Sequence, residues 1–411
     1  MRPSQVNSED NVVAAPRDHR VLLVYAICAL LGHAYGMTLA VLSLYLRGRG
    51  QTADAIGSLS SYFAMGVIAC SLPVGTMISR MGARPVLAGG LLGYSLVTAA
   101  LPWLNGFWPI ALARALDGVF SVCVWTASES TLLAYSPPDR KASATTRYAV
   151  ALSLGYVSGP MIARILTEQF SMRAVFYGAA SLTVVAALVA ILALPPLRHT
   201  EGHDEASREA PTLSLLGLIQ RVRVSIVAAF AYGYFQSALL LFVPLYFADV
   251  RHFTTEQVVM LPAFFAGGML LLMNFIGPIG DRFGHLRVLR VLIAVGIAVI
   301  IGFTWLTAYP LIAFATFIAG AALSTVWPLS LALQGVVLPA REYGRANGVV
   351  NGFYAMGLVL GPFLSGRVFK RLGGDALFWQ FAVMWFAVMV FALVFDGDDP
   401  RSKRHVPATT L

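Results

Sequence analysis

Long apolar runs separated by short polar gaps repeat along almost the whole chain. Twelve runs are about as long as a helix that crosses a bilayer, which needs roughly 20 mostly apolar residues. A polar segment at 195–222 divides them into two groups of six, at 20–194 and 223–396, and polar tails lie at 1–19 and 397–411. This pattern predicts an all-α membrane protein with twelve transmembrane helices. The predicted spans are 21–46, 56–78, 85–104, 108–134, 146–167, 173–194, 224–248, 256–279, 287–307, 309–333, 345–369 and 375–395.

The two groups of runs share sequence landmarks at a constant distance. The loop after the second run reads Gly-Thr-Met-Ile-Ser-Arg-Met-Gly at 75–82, and it returns 202 residues later as Gly-Pro-Ile-Gly-Asp-Arg-Phe-Gly at 277–284. Trp125 and Trp327 keep the same spacing. A constant offset predicts two halves built on one plan. Because each half has an even number of spans, it begins and ends on one side of the membrane, so the repeats are parallel.

The composition supports a membrane protein and indicates its orientation. Only 12% of the residues are charged, against about 25% in soluble domains. The net charge of +9 comes without the basic stripe of a nucleic-acid-binding protein. With the N-terminus inside, 20 Lys and Arg residues fall on the inner side and seven on the outer side, which predicts cytoplasmic termini. The excess of Arg over Lys favours a bacterial protein, and therefore a location in the inner membrane. Within the polar segment, the stretch 213–219 predicts a short amphipathic helix on the membrane surface.

Six plus six parallel spans, with a G-x-x-x-D-R-x-G loop after the second span of each half, resemble the major facilitator superfamily over residues 20–396. The second loop has the acid of this signature, Asp281, whereas Ser79 replaces it in the first loop. In this family the acid pairs with a neighbouring helix and latches the outward-open state, so the resemblance implies a latch in the second half. The matching loop residues are Gly75, Arg80, Gly82, Gly277, Asp281, Arg282 and Gly284.

Two further motifs carry the resemblance. Span five contains Gly155, Gly159 and Pro160 in a G-x-x-x-G-P pattern, which resembles a truncated motif of family members that exchange substrate for protons. Span eleven repeats this pattern. Arg114 and Asp117 in span four resemble the R-x-x-Q-G motif of the family, with Asp in place of Gln. The resemblance implies a secondary transporter, and the span-five pattern favours proton-coupled export.

Charged residues inside the predicted spans concentrate on span four. A charge at the centre of a membrane helix costs roughly 2.5–3.5 kcal/mol, so it usually indicates a function. Asp117 and Glu129 are the only acids well inside a span, and Arg114 can pair with Asp117 one turn away. We expect one of the two acids to carry a proton, and we favour Asp117 because of this arginine. The alternative is a structural pair, with Glu129 wetted near the cytoplasmic mouth.

Neutral and titratable residues in other spans are candidates for substrate and proton binding. His33 lies near the middle of span one, and an imidazole changes its charge near neutral pH. We expect Tyr35, Gln236, Asn351 and Tyr354 to contact the substrate, so that the first half handles protons and the second half offers neutral contacts. Each of these side chains is equally compatible with a hydrogen bond between helices.

The leading hypothesis is a monomeric secondary transporter that exports a small organic compound in exchange for protons, by alternating access between the halves. The alternatives are import of a sugar or organic acid by symport or uniport, and a membrane sensor or scaffold that does not transport. The chain has no G-x-x-x-x-G-K-[ST] motif, so we expect neither an ATP-driven pump nor an enzyme, and no cofactor. His199 and His203 have a spacing that suits a metal, but Gly202 and the polar linker favour a solvated loop, so no metal site is expected.

Overall fold

The computed structural model of the protein describes residues 19–51, 53–195 and 213–399. Nearly all of these residues are helical, and none of them belongs to a β-strand. The predicted tails, most of the linker, and His199 and His203 lie outside the described residues.

Six long helices form the first half of the described chain. Their bounds agree with the predicted spans to within a few residues at most ends. They are α1 (His19–Gly48), α2 (Ala53–Met81), α3 (Ala83–Ala100), α4 (Phe107–Tyr135), α5 (Lys141–Gln169) and α6 (Met172–Leu192). A short helix in the predicted amphipathic stretch, α7 (Leu215–Arg221), leads into the second half and makes an angle of 76° with the helix that follows.

The second half repeats the plan with one difference. Its helices are α8 (Arg223–Leu245), α9 (Thr255–Phe283), α10 (His285–Trp305), α11 (Tyr309–Ser324), α12 (Val326–Val337), α13 (Tyr343–Leu372) and α14 (Gly374–Val394). The span predicted at 309–333 is broken at Thr325 into α11 and α12. Pro328 explains the break, because it has no N–H to donate to the carbonyl of Ser324 four residues earlier.

The helices are long and apolar enough for a protein that crosses the membrane many times. Eleven segments of the described chain meet this condition by themselves, and the bent pair of α7 and α8 supplies the twelfth. The prediction of an all-α fold with twelve transmembrane helices is therefore confirmed.

Corresponding helices pack in the same way in the two halves. Helix α1 packs on α5 and α2 on α4, while α8 packs on α13 and α9 on α11. Gly118 lies against the carbonyl oxygen of Phe63, and Gly320 lies in the same way against Phe265, 202 residues later. A Cβ atom at either glycine would stand 2.0 Å from that oxygen, so only glycine allows this approach. The repeat in the sequence is thus a repeat of helix contacts.

The halves meet at one end of the bundle, which we call the terminal side; it comprises residues 79–84, 136–141, 281–286 and 338–343. There α2 runs along α13, and α5 runs along α9. Gly75 approaches the backbone of Arg345, and Gly277 approaches that of Ser143. A cluster of apolar side chains from both halves fills the space between them: Leu133, Leu218, Ile226, Leu331, Leu338, Val349 and Val350.

Candidate transport site

Helix α4 carries the charged residues that the sequence singles out. Arg114, Asp117, Ser121, Trp125 and Glu129 follow one another at intervals of three or four residues, so they form a stripe along the helix. Because an α-helix has 3.6 residues per turn, the stripe drifts, and Asp117 and Glu129 point about 120° apart. The two acids therefore lie in different surroundings.

Asp117 belongs to a polar group inside the first half. Arg114 and Asp117 form a buried ion pair in which only about a tenth of each side chain is exposed. Ser121 donates a hydrogen bond to Asp117 over 3.2 Å, and Tyr35 donates to Ser121 over 2.8 Å. The guanidinium of Arg114 also lies 4.8 Å from the centre of the Phe63 ring. All these partners belong to α1, α2 and α4, so the group does not connect the two halves.

Glu129 lies at the boundary between the halves. It is 2% exposed, and its carboxyl group accepts a hydrogen bond from the amide of Asn351 on α13 over 3.0 Å. The same amide nitrogen lies 3.3 Å from Thr126, and one turn further Asn347 donates to Ser130 over 3.2 Å. Within the described chain, Glu129 has no basic partner. The expected alternative of a carboxyl group wetted at the cytoplasmic mouth does not describe this buried residue.

Seven aromatic rings surround the middle of α4 and join the halves. The ring of Tyr354 lies 6.5 Å from Trp125 and 5.0 Å from Trp327, the tryptophan pair with the constant offset. Tyr35 and Tyr156 stack at 6.0 Å in the first half. We call this set the aromatic cluster; its members are Tyr35, Phe63, Trp125, Tyr156, Tyr232, Trp327 and Tyr354. It offers an apolar surface to which both halves contribute.

The four predicted substrate contacts fall in two places. Tyr35 and Tyr354 are members of the aromatic cluster, and Tyr354 donates a hydrogen bond to Gln236 over 2.6 Å. Asn351 lies instead beside Glu129 and is 1% exposed. A substrate could reach its amide only if the contact between α4 and α13 opened. The role of each residue stays a prediction.

His33 points away from the candidate site. His33 precedes Tyr35 by two residues, so the two side chains leave α1 in nearly opposite directions. The imidazole Nδ1 lies 2.7 Å from the carbonyl oxygen of Ala29 in the same helix. Sequence reasoning grouped His33 with the acids because all lie in spans, whereas the helix geometry separates them.

The span-five motif holds helices together. Gly155 packs on the backbone of Gly32 and His33, and Gly159 packs on that of Gly36, while Pro160 lies inside α5. Gly357 and Gly361 pack on α8 in the same way. Close packing therefore accounts for the motif in both halves, and the motif by itself does not favour one direction of transport.

The two loop motifs differ in their contacts with the other half. Asp281 accepts hydrogen bonds from the backbone N–H of Ala142 and of Ser143, each over 2.8 Å, and from the Ser143 hydroxyl over 2.5 Å. Its carboxylate caps the N-terminus of α5, where the helix dipole favours negative charge. Ser79 donates only to Thr76 in its own helix, over 2.9 Å. The carboxylate that joins the halves is thus present in one of the two loops.

The remaining loop residues lie around this contact. Gly82 and Gly284 have φ angles of 89° and 96°, which let each loop turn sharply into the next helix. Arg80 and Arg282 are exposed, and the guanidinium of Arg282 lies 5.3 Å from the Phe283 ring. Both arginines are therefore free of the tight packing that surrounds Gly75 and Gly277.

The hydrogen bonds between the halves lie on the terminal side and extend to the middle of the bundle, so the bundle is closed on the terminal side. Of those recorded between described residues, the one farthest from the terminal side joins Ser153 to Met269 over 3.5 Å, near the middle of α5 and α9. The others lie closer to the terminal side. Hydrogen bonds therefore join the two halves from the terminal side as far as the aromatic cluster.

Two similar helical halves that meet around a central site define a membrane transport protein. The family model described as Major Facilitator Superfamily matches residues 22–312 and 268–411. The chain therefore belongs to the major facilitator superfamily, as the resemblance implied, and its general activity is membrane transport.

Relatives and solved structures agree with this assignment. Two uncharacterized MFS-type transporters, one of Enterobacter sp. (strain 638) and YcaD of Escherichia coli O6:K15:H31 (strain 536 / UPEC), are each 24% identical, and the matches cover 94% of this chain and 98% of each relative. The human organic anion transporter MFSD10 (TETRAN) superposes with a TM-score of 0.76 at 16% identity, covering 92% of this chain and 100% of that chain. The E. coli fucose:proton symporter FucP gives a TM-score of 0.74 at 16% identity, with 92% and 98% covered. At these identities the structures show the fold alone.

Sequence reasoning missed several residues of the site. Tyr156 belongs to the aromatic cluster, and Lys141 lies buried between the halves with Tyr343. Trp125 and Trp327 mark the repeat in the sequence. Two aromatic residues at corresponding positions could have indicated an apolar surface that both halves share. Lys141 gave no signal, because a lysine at a loop end usually lies in solvent.

Proposed function

We propose that this transporter exports a small, at least partly apolar organic compound in exchange for protons, by alternating access of the aromatic cluster to the two sides of the membrane. The observation that carries the proposal is Glu129, a buried carboxyl group without a basic partner in the described chain, bonded across the halves beside that cluster. A buried acid of this kind is costly, and such groups mark proton pathways in membrane proteins.

The geometry favours Glu129 over Asp117 as the coupling acid, the reverse of the order expected from the sequence. A coupling residue has to connect its protonation with the arrangement of the halves. Asp117 is held by Arg114 and Ser121 within the first half. Glu129 is bonded to Asn351 in the second half. Protonation of Glu129 therefore acts directly on the contact that separates when access changes.

The coupling follows from the burial of Glu129 in that contact. A charge buried away from water is costly, so Glu129 keeps its proton while α4 and α13 are closed on it. When the two helices separate at the terminal side, water reaches Glu129 and the proton is released there. Substrate then binds at the aromatic cluster as the proton leaves. Asp117 and Arg114 keep the neighbouring Tyr35 and Ser121 in place.

The aromatic cluster indicates the class of substrate. Rings at centroid distances of 5.0–6.5 Å interact through their faces and edges, and a flat apolar compound can replace one such neighbour. Gln236 and the tyrosine hydroxyls add a few polar groups that fix orientation. We infer a planar, partly apolar organic compound as the substrate.

Import remains the second candidate function. Gln236 and Tyr354 form a polar pair that suits the hydroxyl groups of a sugar or organic acid. FucP, which shares the fold, is named a fucose:proton symporter. In symport the same acid would bind a proton when the substrate binds, and both would cross the membrane in the same direction. The direction of proton movement relative to substrate movement therefore distinguishes the two functions. A sensor or scaffold is disfavoured because it gains nothing from the cost of the charges on α4.

The test uses the purified protein in liposomes with an imposed pH gradient. A panel of planar aromatic dyes, sugars and organic acids is first screened for movement that depends on the gradient. For export by exchange, substrate should move against the proton flow; for symport, it should move with it.

Glu129→Gln should abolish gradient-driven accumulation while exchange of labelled for unlabelled substrate continues. Glu168→Gln is the matched control, because that acid pairs with Arg164 on the exposed surface. Accumulation by Glu129→Gln at the wild-type rate would refute coupling through this residue.

The location and orientation are also proposals. The excess of basic residues on the terminal side supports cytoplasmic termini. The excess of Arg over Lys supports a bacterial inner membrane, and we propose that the protein acts as a monomer. Reporter fusions at Glu201 and at the C-terminus should then read cytoplasmic, and a fusion at Leu104 should read external. In this orientation the structure is closed towards the cytoplasm, and an external reading at Glu201 would overturn the assignment.

A further inference from the structure

A buried lysine lies where the two halves meet on the terminal side. Lys141 is the first residue of α5 and is 4% exposed. Its side-chain nitrogen Nζ donates to the carbonyl of Leu133 over 2.6 Å and to the hydroxyl of Tyr343, in the other half, over 3.1 Å. Tyr343 in turn donates to the carbonyl of Gly335 over 2.9 Å.

This contact lies on the axis that relates the repeats. Lys141 and Tyr343 are 202 residues apart, and so are the two carbonyl groups of Leu133 and Gly335 that they bind. Corresponding positions of the halves thus touch each other. A Cβ atom at Gly335 would stand 2.6 Å from the Lys141 side chain, so the glycine leaves room for the lysine to cross the boundary. Any separation of the halves at the terminal side has to break this contact.

The charges around Lys141 are engaged elsewhere. From α9, Asp281 binds the backbone N–H groups of Ala142 and Ser143. From the turn before α13, Glu342 lies 2.8 Å from Arg345 and 3.9 Å from Arg341. Glu129 lies on α4 one turn before Leu133 and accepts a hydrogen bond from Asn351. Arg140 and Arg147 on either side of Lys141 are exposed, and α12 contains no charged residue. In the described chain, no carboxylate forms an ion pair with Lys141.

The hydrogen bonds also fit an uncharged amine. An ammonium has three N–H donors, and this site provides two acceptors, the Leu133 carbonyl and the Tyr343 hydroxyl. A neutral amine uses both of its N–H donors here. Burial without a counter-charge disfavours the ammonium form, whereas contact with water restores it.

We propose that Lys141 is a proton-linked switch of the terminal-side gate: it is a neutral amine while the halves are closed on it, and it takes up a proton from the terminal-side water when they open. The closed gate then binds one proton fewer than the open gate. A rise in pH on the terminal side stabilises the closed state, and a fall in pH stabilises the open state. This inference rests on the proposed alternating access, but it does not depend on proton coupling through Glu129 or on the substrate.

The experiment measures the opening of the gate directly. Spin labels are placed at Asp139 and Arg287, exposed positions on the terminal side of the two halves. The reference protein has its three cysteines replaced by alanine and carries Glu129→Gln, which removes the other titratable group proposed to act on this contact. Distance distributions are recorded in lipid nanodiscs between pH 6 and pH 10, without substrate. The ratio of closed to open molecules should rise with pH, by at most about tenfold per pH unit, as one linked proton requires.

Three variants separate the switch from a structural role. Lys141→Met keeps the length without the charge and should remove the pH dependence, with the gate mostly closed. Lys141→Arg stays charged and should hold the gate open at every pH. Arg140→Met, which neutralises the exposed neighbour, should respond to pH like the reference protein. An unchanged ratio in the reference protein, or an equal pH response in Lys141→Met, would overturn the inference. Transport measured on the wild-type protein shows separately whether the proposed function holds.

Discussion

The two halves of the molecule share a backbone plan and differ in where they carry charge. In the first half, α4 holds Arg114, Asp117 and Glu129 inside the membrane. The corresponding positions of the second half are Thr316, Ala319 and Leu331, which are all uncharged. At the terminal side the order is reversed, because the second half has Asp281 where the first has Ser79. The repeat therefore determines how the helices pack, while these four charged groups each occur in only one half.

The largest expected effect is on the ion pair of the first half. Arg114→Ala leaves the carboxylate of Asp117 buried without its partner, which should lower the free energy of unfolding by about 3–5 kcal/mol. The corresponding change in the second half, Thr316→Ala, should cost about 1 kcal/mol or less, since in the described chain Thr316 bonds to Ile312 of its own helix. Thermal unfolding in detergent compares the two. Equal losses would mean that the charge pair has no special role in the stability of its half.

The second effect concerns the carboxylate that joins the halves. Asp281→Ala removes three hydrogen bonds to the first turn of α5, and hydrogen bonds to a charged group contribute about 1.5–3 kcal/mol. The closed state should lose part of its stability, so transport at matched expression should fall several-fold. Asp281→Asn, which keeps one acceptor oxygen, should be less impaired. Wild-type transport by both variants would show that this contact does not limit the cycle.

The sequence predicted the fold more completely than the site. Apolar runs of membrane length and the constant offset determine the number of helices and their packing, because these depend on the residue pattern of each span. The break at Thr325 was missed, although Pro328 carries the information for it. The pairing of Arg114 with Asp117 was also predictable, since both lie on one helix one turn apart.

The contacts across the halves were not predictable. Glu129 and Asn351 are more than two hundred residues apart, and nothing local in either span indicates that they touch. The same holds for Lys141 and Tyr343. Such pairs depend on how two folded halves dock, so the sequence supported the choice of Asp117, whose partner is local, over Glu129, whose partner is distant.

A smaller effect is expected at the aromatic cluster, where both halves contribute a tyrosine. Tyr354→Phe removes the bond to Gln236, and Tyr35→Phe removes the bond to Ser121. A single hydrogen bond contributes about 0.5–1.5 kcal/mol, so substrate affinity should fall between roughly twofold and tenfold for Tyr354→Phe. Tyr35→Phe should change affinity less, because its hydroxyl is directed at Ser121 and Asp117. Binding titrations with a transported compound would measure both, and an equal loss would place both hydroxyls in the substrate site.

The smallest effect is expected at Ser79, the counterpart of Asp281. In the described part of the chain its hydroxyl bonds to Thr76 of the same helix, and the residue is exposed. Ser79→Ala should therefore change the free energy of unfolding by no more than about 0.5 kcal/mol and leave the transport rate near that of the wild type. Ser79→Asp tests whether a carboxylate could restore the missing contact. Gly344 packs on Ile78, so the turn before α13 lies near this loop. That turn contains Glu342, which is buried and bonded to Arg345, and a second acid near it would be repelled. Ser79→Asp should therefore leave the closed state no more stable than the wild type, in distance measurements between labels at Asp139 and Arg287. A clear gain in the closed population would show that the first half lacks a latch only because it lacks the acid.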